Sequence, residues 1–209
     1  KAKNPVMIWI HGGALVTGGS SSIMYDLQHL AYRGVVVVSI NYRLGPLGFL
    51  KLDEVTDGEI KSTGNEGLID QRNAIKWVKE NISSFGGDPN NITIFGESAG
   101  ARNVLSLYVA DQAKNLFQRG IVQSGYLVSD DIEYSRNNPK SGSLTFIKSS
   151  IKENDPAMNP MTLKETLEDT EILGKYLRGL SKEQIISFYR VREDAGGLID
   201  IPNVIPDGI

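Results

Sequence analysis

The sequence predicts an α/β chain: a central, mostly parallel sheet flanked by helices and incomplete at both ends. Three observations carry that expectation. Continuous Val/Ile-rich runs recur near 6–10, 35–41, 92–96 and 120–124. Such runs do not alternate polar with apolar, as befits parallel strands buried on both faces. Between them lie stretches with helical periodicity, the kind of connection parallel strands need. The chain also opens only four residues before its first core run and closes at Asp207-Gly208-Ile209 in a loop-like stretch, so edge strands are expected to lie outside it.

The first run, Pro5-Val6-Met7-Ile8-Trp9-Ile10, passes directly into His11-Gly12-Gly13-Ala14. Gly18-Gly19 with Ser20 to Ser22 lacks the following Lys-Ser/Thr of a phosphate cradle and reads as a flexible loop. His29, in Leu27-Gln28-His29-Leu30, is expected on a short surface helix. The clearest helix covers 67–83, with Leu68, Ile75, Val78 and Ile82 on one face and Arg72, Lys76, Lys79 and Glu80 towards the other. The run Ile92-Thr93-Ile94-Phe95 leads into Gly96-Glu97-Ser98-Ala99-Gly100, and a second helix starts at Ser98 with Ala101, Leu105 and Tyr108 at one-face spacing. Two Asn-X-Ser/Thr triplets, at Asn81 and Asn91, read as a helix end and a strand entry.

A serine between two glycines, where a strand turns into a helix, is a means of presenting a nucleophile. The turn is tight enough to force the serine into a strained backbone conformation, and a Cβ on either flank would clash. The pentapeptide alone is weak evidence. It gains weight from the upstream His-Gly-Gly loop, because attack on a carbonyl builds negative charge that pre-aimed backbone N–H groups stabilise. Removing one such donor costs roughly 3–4 kcal/mol of barrier. The N-terminus of the helix at Ser98 adds a positive dipole at the same point.

With Asn41-Tyr42-Arg43-Leu44-Gly45-Pro46-Leu47-Gly48-Phe49, Gly67-Leu68-Ile69-Asp70-Gln71, Phe85-Gly86-Gly87-Asp88-Pro89 and Ile121-Val122-Gln123-Ser124-Gly125, these motifs form a series. That series resembles the type-B carboxylesterase family, densely from about residue 5 to 125. Tyr176-Leu177-Arg178 and Pro206-Asp207-Gly208 are weaker later landmarks. The resemblance implies an α/β-hydrolase fold, a serine carboxylic-ester hydrolase acting on a small-molecule ester, and no metal or cofactor. It makes Ser98 the nucleophile and the N–H groups of Gly13, Ala14 and Ala99 the oxyanion hole. Glu97 matches a carboxylate kept at the site, and Gly12, Gly96 and Gly100 support it. Arg102 and Asn103 depart from the small residues and serine that relatives mostly carry there. A non-catalytic adhesion or binding relative, and a lipase or amide hydrolase on the same scaffold, remain open alternatives.

In this fold the triad runs serine, acid, histidine along the chain. Here the only two histidines, His11 and His29, both precede Ser98. His11 reads as a buttress behind the oxyanion loop. Asp130, Asp131 and Glu133 follow Ser98 in a polar stretch with nothing to mark one as the acid. Acid and base are therefore expected beyond Ile209, in a parent more than twice this length, and the 209 residues alone are expected to show little turnover. Residues 1–209 are read as one partial domain, with a core over 1–128 and an excursion plus helices over the active site in 129–209. Within the latter, 129–160 reads as surface loop, and 163–177 and 182–191 as helices. Ser181 and Gln184 form a capping box and Leu180 with Ile185 a hydrophobic staple.

Composition narrows the rest. The 22 Lys and Arg against 25 Asp and Glu give a net charge of −3 without a basic stripe, which argues against nucleic acid. No apolar run approaches the roughly 20 residues needed to span a membrane. There is no cysteine. Disulfides and thiolate sites are thereby excluded within these residues, and under the resemblance this favours a bacterial protein, cytoplasmic or exported.

Overall fold

The computed structural model describes residues 3–187 and 204–205. Along the chain, β1 (Asn4–Ile10) is followed by α1 (Gln28–Ala31), β2 (Val36–Ile40), α2 (Pro46–Phe49), α3 (Glu66–Asn81), β3 (Gly87–Glu97), α4 (Ala99–Val109) and β4 (Arg119–Gln123). Then come α5 (Ile132–Asn137), α6 (Ser143–Asn154), α7 (Pro160–Glu168), α8 (Thr170–Gly179) and α9 (Lys182–Ser187). The chain divides into two units: one holds residues up to Arg43 with Gly67–Val128, the other Leu44–Glu66 with the described residues from Ser129 on.

The first unit is built on a parallel sheet of order β2-β1-β3-β4. Its central strands bury Val6, Ile8 and Ile10 beside Ile92 and Ile94, all at 0% exposure. Ile8 is in register with Val38 on one side and Ile94 on the other, and Ile10 with Ile40 and Gly96. Trp9 packs between Tyr25 and Phe95, with ring centroids at 4.7 and 4.9 Å. Ile75 and Val78 of α3, and Ile82 just after it, are buried as their spacing predicts. The chain leaves β1 towards β2 on one side and β3 towards β4 on the other. The carboxyl ends of β1 and β3 therefore flank the point where strand order reverses, where open α/β sheets bind ligands.

Three elements of this unit differ from expectation. β3 begins at Gly87 rather than near 92, because Gly87 pairs with Asn4 before the register shifts to Val6↔Ile92. The long helix ends at Asn81 and continues as a 3₁₀ turn, Ile82–Phe85, stopped by Gly86 in the left-handed region. On α4 the buried apolar side chains are Ala99, Ala101, Val104 and Leu107, whereas Leu105 is only partly buried and Tyr108 is half exposed against Phe117. The helix is enclosed around most of its first two turns, so a one-face pattern does not describe it.

The second unit is helical. Leu50, Val55, Phe146, Ile147, Ile151, Leu173 and Leu177 form its core, which makes α6 a core element and corrects the reading of 129–160 as surface loop. The expected helix over 163–177 is two helices, because the Asp169 carboxylate accepts the N–H groups of Glu171 and Ile172 at 3.0 Å and starts α8 afresh. Ser181 and Gln184 do form the reciprocal cap, at 2.7 and 3.2 Å, while residues 188–191 and Pro206-Asp207-Gly208 lie outside the described residues. Asn65 and Ile205 exchange two hydrogen bonds, at 2.7 and 3.2 Å.

Candidate active site

Ser98 stands at the carboxyl end of β3, one residue ahead of α4, with φ 55° and ψ −121°. A non-glycine residue pays for such a backbone with strain of roughly 1–3 kcal/mol, so the surroundings must impose it. The Ser98 N–H donates to the Gln123 carbonyl at 2.9 Å, and its carbonyl accepts the Arg102 N–H at 3.1 Å. The flanking glycines let the strand and helix meet. A Cβ on Gly96 would lie 2.5 Å from the Gly100 carbonyl carbon, and one on Gly100 would strike the Ile10 and His11 carbonyls. The Ser98 side chain is exposed, and Glu97 beside it is half-buried.

The loop after β1 comes against this turn. The Cβ position of Gly12 is 3.3 Å from Ser98 Cβ and 3.4 Å from Glu97 Oε2. Gly13, Ala14 and Leu15 all have positive φ, at 115°, 56° and 63°. The Gly13 carbonyl accepts the N–H groups of Val16 and Thr17 at 3.0 and 2.9 Å. Among the described residues no acceptor meets the N–H of Gly13 or of Ala14. The N–H of Ala99, first residue of α4, is one of those a helix leaves without an internal partner.

His11 is buried to 1% exposure behind the loop. Its Nδ1 lies 2.8 Å from the Gly12 carbonyl oxygen, which can only accept, so Nδ1 carries the hydrogen. The ring stacks on Tyr42 at 4.5 Å and 19°, and the Tyr42 hydroxyl donates to the His11 carbonyl at 2.7 Å. Burial pushes the Tyr42 phenol far up, only partly countered by the fully buried Asn103 amide beside it, which makes no well-directed hydrogen bond there. Arg102 is also buried and lies over the Tyr126 ring at 5.0 Å. Next to Tyr42 in the chain, Arg43 grips Asp70 of α3 with Nε and Nη2 at 2.7 and 2.8 Å. Partial burial raises the Asp70 pKa, but the Arg43 hydrogen bonds and charge outweigh it and hold the carboxyl below its ordinary value.

The structure thus brings Gly12, Gly96, Glu97, Ser98 and Gly100 together, and does not bring an imidazole to Ser98 among the described residues. His29 is exposed on α1 beside Tyr32. Asp131 caps α5 by accepting the Tyr134 N–H at 2.7 Å, and the Asp130 N–H donates to Val204. Among the described residues no group of His, Cys, Asp and Glu could hold a metal ion, and no helix is long and apolar enough to cross a membrane. Sequence reading had no signal for Tyr42 as part of this cluster. It stands in a loop two residues past β2, and its reach to His11 is across strands.

The profile of the Carboxylesterase family matches residues 1–193. The chain is 52% identical over 122 residues to para-nitrobenzyl esterase of Bacillus subtilis (strain 168), covering 58% of this chain and 24% of that protein. It is 43% identical over 175 residues to mouse carboxylesterase 1E, covering 83% of this chain and 30% of the relative. Among solved structures it superposes on the Geobacillus stearothermophilus carboxylesterase EST55 with a TM-score of 0.74 at 36% identity, over 99% of this chain and 40% of that one. The fold is that of these esterases, the α/β-hydrolase fold, and the chain spans 24% and 30% of the length of the two curated relatives.

Proposed function

The chain belongs to the carboxylesterase family, and from that premise we propose that it serves carboxylic-ester hydrolysis with Ser98 as the nucleophile. The observation that carries the reading is the exposed Ser98 at φ 55°, held against a loop in which the Gly13 and Ala14 N–H groups have no acceptor among the described residues. In this reading Ser98 Oγ attacks the ester carbonyl of a small-molecule substrate. The oxyanion that forms is stabilised by the N–H groups of Gly13, Ala14 and Ala99, collapse expels the alcohol, and water then hydrolyses the acyl-enzyme. Glu97, beside the nucleophile, adds a carboxylate to the site, and Gly12, Gly96 and Gly100 keep the two backbones close. A hydroxyl needs a positioned base. Neither His11, committed to the Gly12 carbonyl, nor the exposed His29 meets Ser98, so base and acid come from outside the described residues. The 209 residues by themselves are accordingly expected to turn over little or no ester.

The test is hydrolysis of a short-chain aryl ester by the full-length gene product. Ser98→Ala lowers kcat at least about a thousandfold, with the melting temperature and circular dichroism retained. A variant that folds and keeps near-parental rates contradicts the assignment.

A further inference from the structure

Three consecutive carbonyls of the loop after β1 are each claimed by a different donor. The His11 carbonyl takes the Tyr42 hydroxyl at 2.7 Å. The Gly12 carbonyl takes His11 Nδ1–H at 2.8 Å. The Gly13 carbonyl takes the N–H groups of Val16 and Thr17 at 3.0 and 2.9 Å. In a planar trans peptide the C=O of one residue points opposite to the N–H of the next. Anchoring the Gly12 carbonyl therefore aims the Gly13 N–H, and anchoring the Gly13 carbonyl aims the Ala14 N–H. Gly12 and Gly13 have no Cβ to restrict them, so these directions have to be imposed from outside.

The hydrogen bond that aims the Gly13 N–H comes from the His11 imidazole, and Tyr42 contacts His11 twice. Its ring lies parallel to the imidazole at 4.5 Å and 19°, and its hydroxyl fixes the His11 main chain. The same carbonyl is bounded on its other side by Gly100, whose Cβ position is 2.8 Å from it, so the first turn of α4 and the loop close on one peptide oxygen. We propose that Tyr42 is a positioning residue for carbonyl attack: through the His11 carbonyl and ring it orients the Gly13 N–H towards the charge that develops beside Ser98. This rests on the esterase reading above.

The experiment compares Tyr42→Phe, which keeps the stacked ring and deletes only the hydroxyl, with the parent full-length gene product. Two quantities are read: kcat and KM for a short-chain aryl ester, and the affinity for a trifluoromethyl ketone that forms a tetrahedral adduct. A misaimed donor costs less than a deleted one, so kcat and ketone affinity each fall about tenfold while KM stays within about twofold. A purely structural role would lower the melting temperature without this selective loss. His11→Phe, which retains the stack and removes the Nδ1–H bond, shows the same signature and stands in where Tyr42→Phe does not fold. Equal kcat and ketone affinity in a folded variant overturn the proposal. A parent that neither hydrolyses the ester nor binds the ketone overturns the esterase reading instead, and the two failures are thereby distinct.

Discussion

Ser98 and Asp169 each stand one residue ahead of a helix, yet only one of them caps it. Asp169 accepts the N–H groups of Glu171 and Ile172 and so stabilises the start of α8, as Asp131, Asn159 and Ser181 do for α5, α7 and α9. Serine is as good a cap as aspartate, worth about 1 kcal/mol. Ser98 nevertheless makes no side-chain cap, and its backbone is held at a positive φ. Backbone strain follows the same division. Ala14, Leu15, Ser98 and Ser124 have positive φ at the carboxyl ends of β1, β3 and β4, whereas among the described residues of the helical unit only Asp57 does so outside glycine. The helical unit uses its polar groups to satisfy its own backbone. Among the described residues the sheet unit leaves the Gly13 and Ala14 N–H groups of the loop after β1 without acceptors, beside the N-terminal start of α4, which is the condition that the proposed oxyanion hole requires.

The contrast can be broken by exchanging glycine for alanine in each unit. Gly100→Ala drives a Cβ into the Ile10 carbonyl and is expected to destabilise by at least about 3 kcal/mol, because backbone on both sides cannot move aside. Gly179→Ala, at the last residue of α8 with open space around it, is expected to gain about 0.5–1 kcal/mol. Urea unfolding of both variants measures this, and similar values for the two would erase the distinction. Ser98→Gly sharpens the comparison further. Relief of the strained backbone is expected to raise stability by about 1 kcal/mol while ester hydrolysis disappears, since strain held at a functional turn is released when the side chain goes. A Ser98→Gly protein less stable than its parent would mean that the turn is not strained.

The smallest effect belongs to Arg43 and Asp70, which are partly exposed at 50% and 27%. The folded Asp70 carboxyl titrates below its ordinary value of 3.8. Its contribution is therefore complete above that value and is lost as the pH falls through the lower, folded one. Asp70→Asn is expected to cost about 0.5–1 kcal/mol at neutral pH and to flatten the acid limb of the stability profile. An unchanged acid limb would show that the pair contributes nothing.

What was legible in the sequence was what depends on local chemistry. The Val/Ile runs marked β1, β2, β3 and β4, and the strand-borne Gly96-Glu97-Ser98-Ala99-Gly100 marked the turn. The early start of β3 was hidden by Asp88-Pro89-Asn90-Asn91, a string of strand-poor residues that the pairing of Asn4 with Gly87 nevertheless draws into the sheet. The core role of α6 was hidden because Phe146, Ile147 and Ile151 are few among polar neighbours, and their burial comes from Leu50, Val55 and Leu173, distant in sequence. The break between α7 and α8 turned on a single side chain, Asp169. Tyr42 was invisible as a partner of His11 because no periodicity encodes a contact across neighbouring strands.

Covalent labelling of the full-length gene product by a fluorophosphonate, with the modified peptide located by mass spectrometry, tests the central claim most directly. The account predicts a single label on Ser98, loss of ester hydrolysis in step with labelling, and no labelling of Ser98→Ala. A label on another residue, or hydrolysis that persists when Ser98 is fully modified, would contradict it.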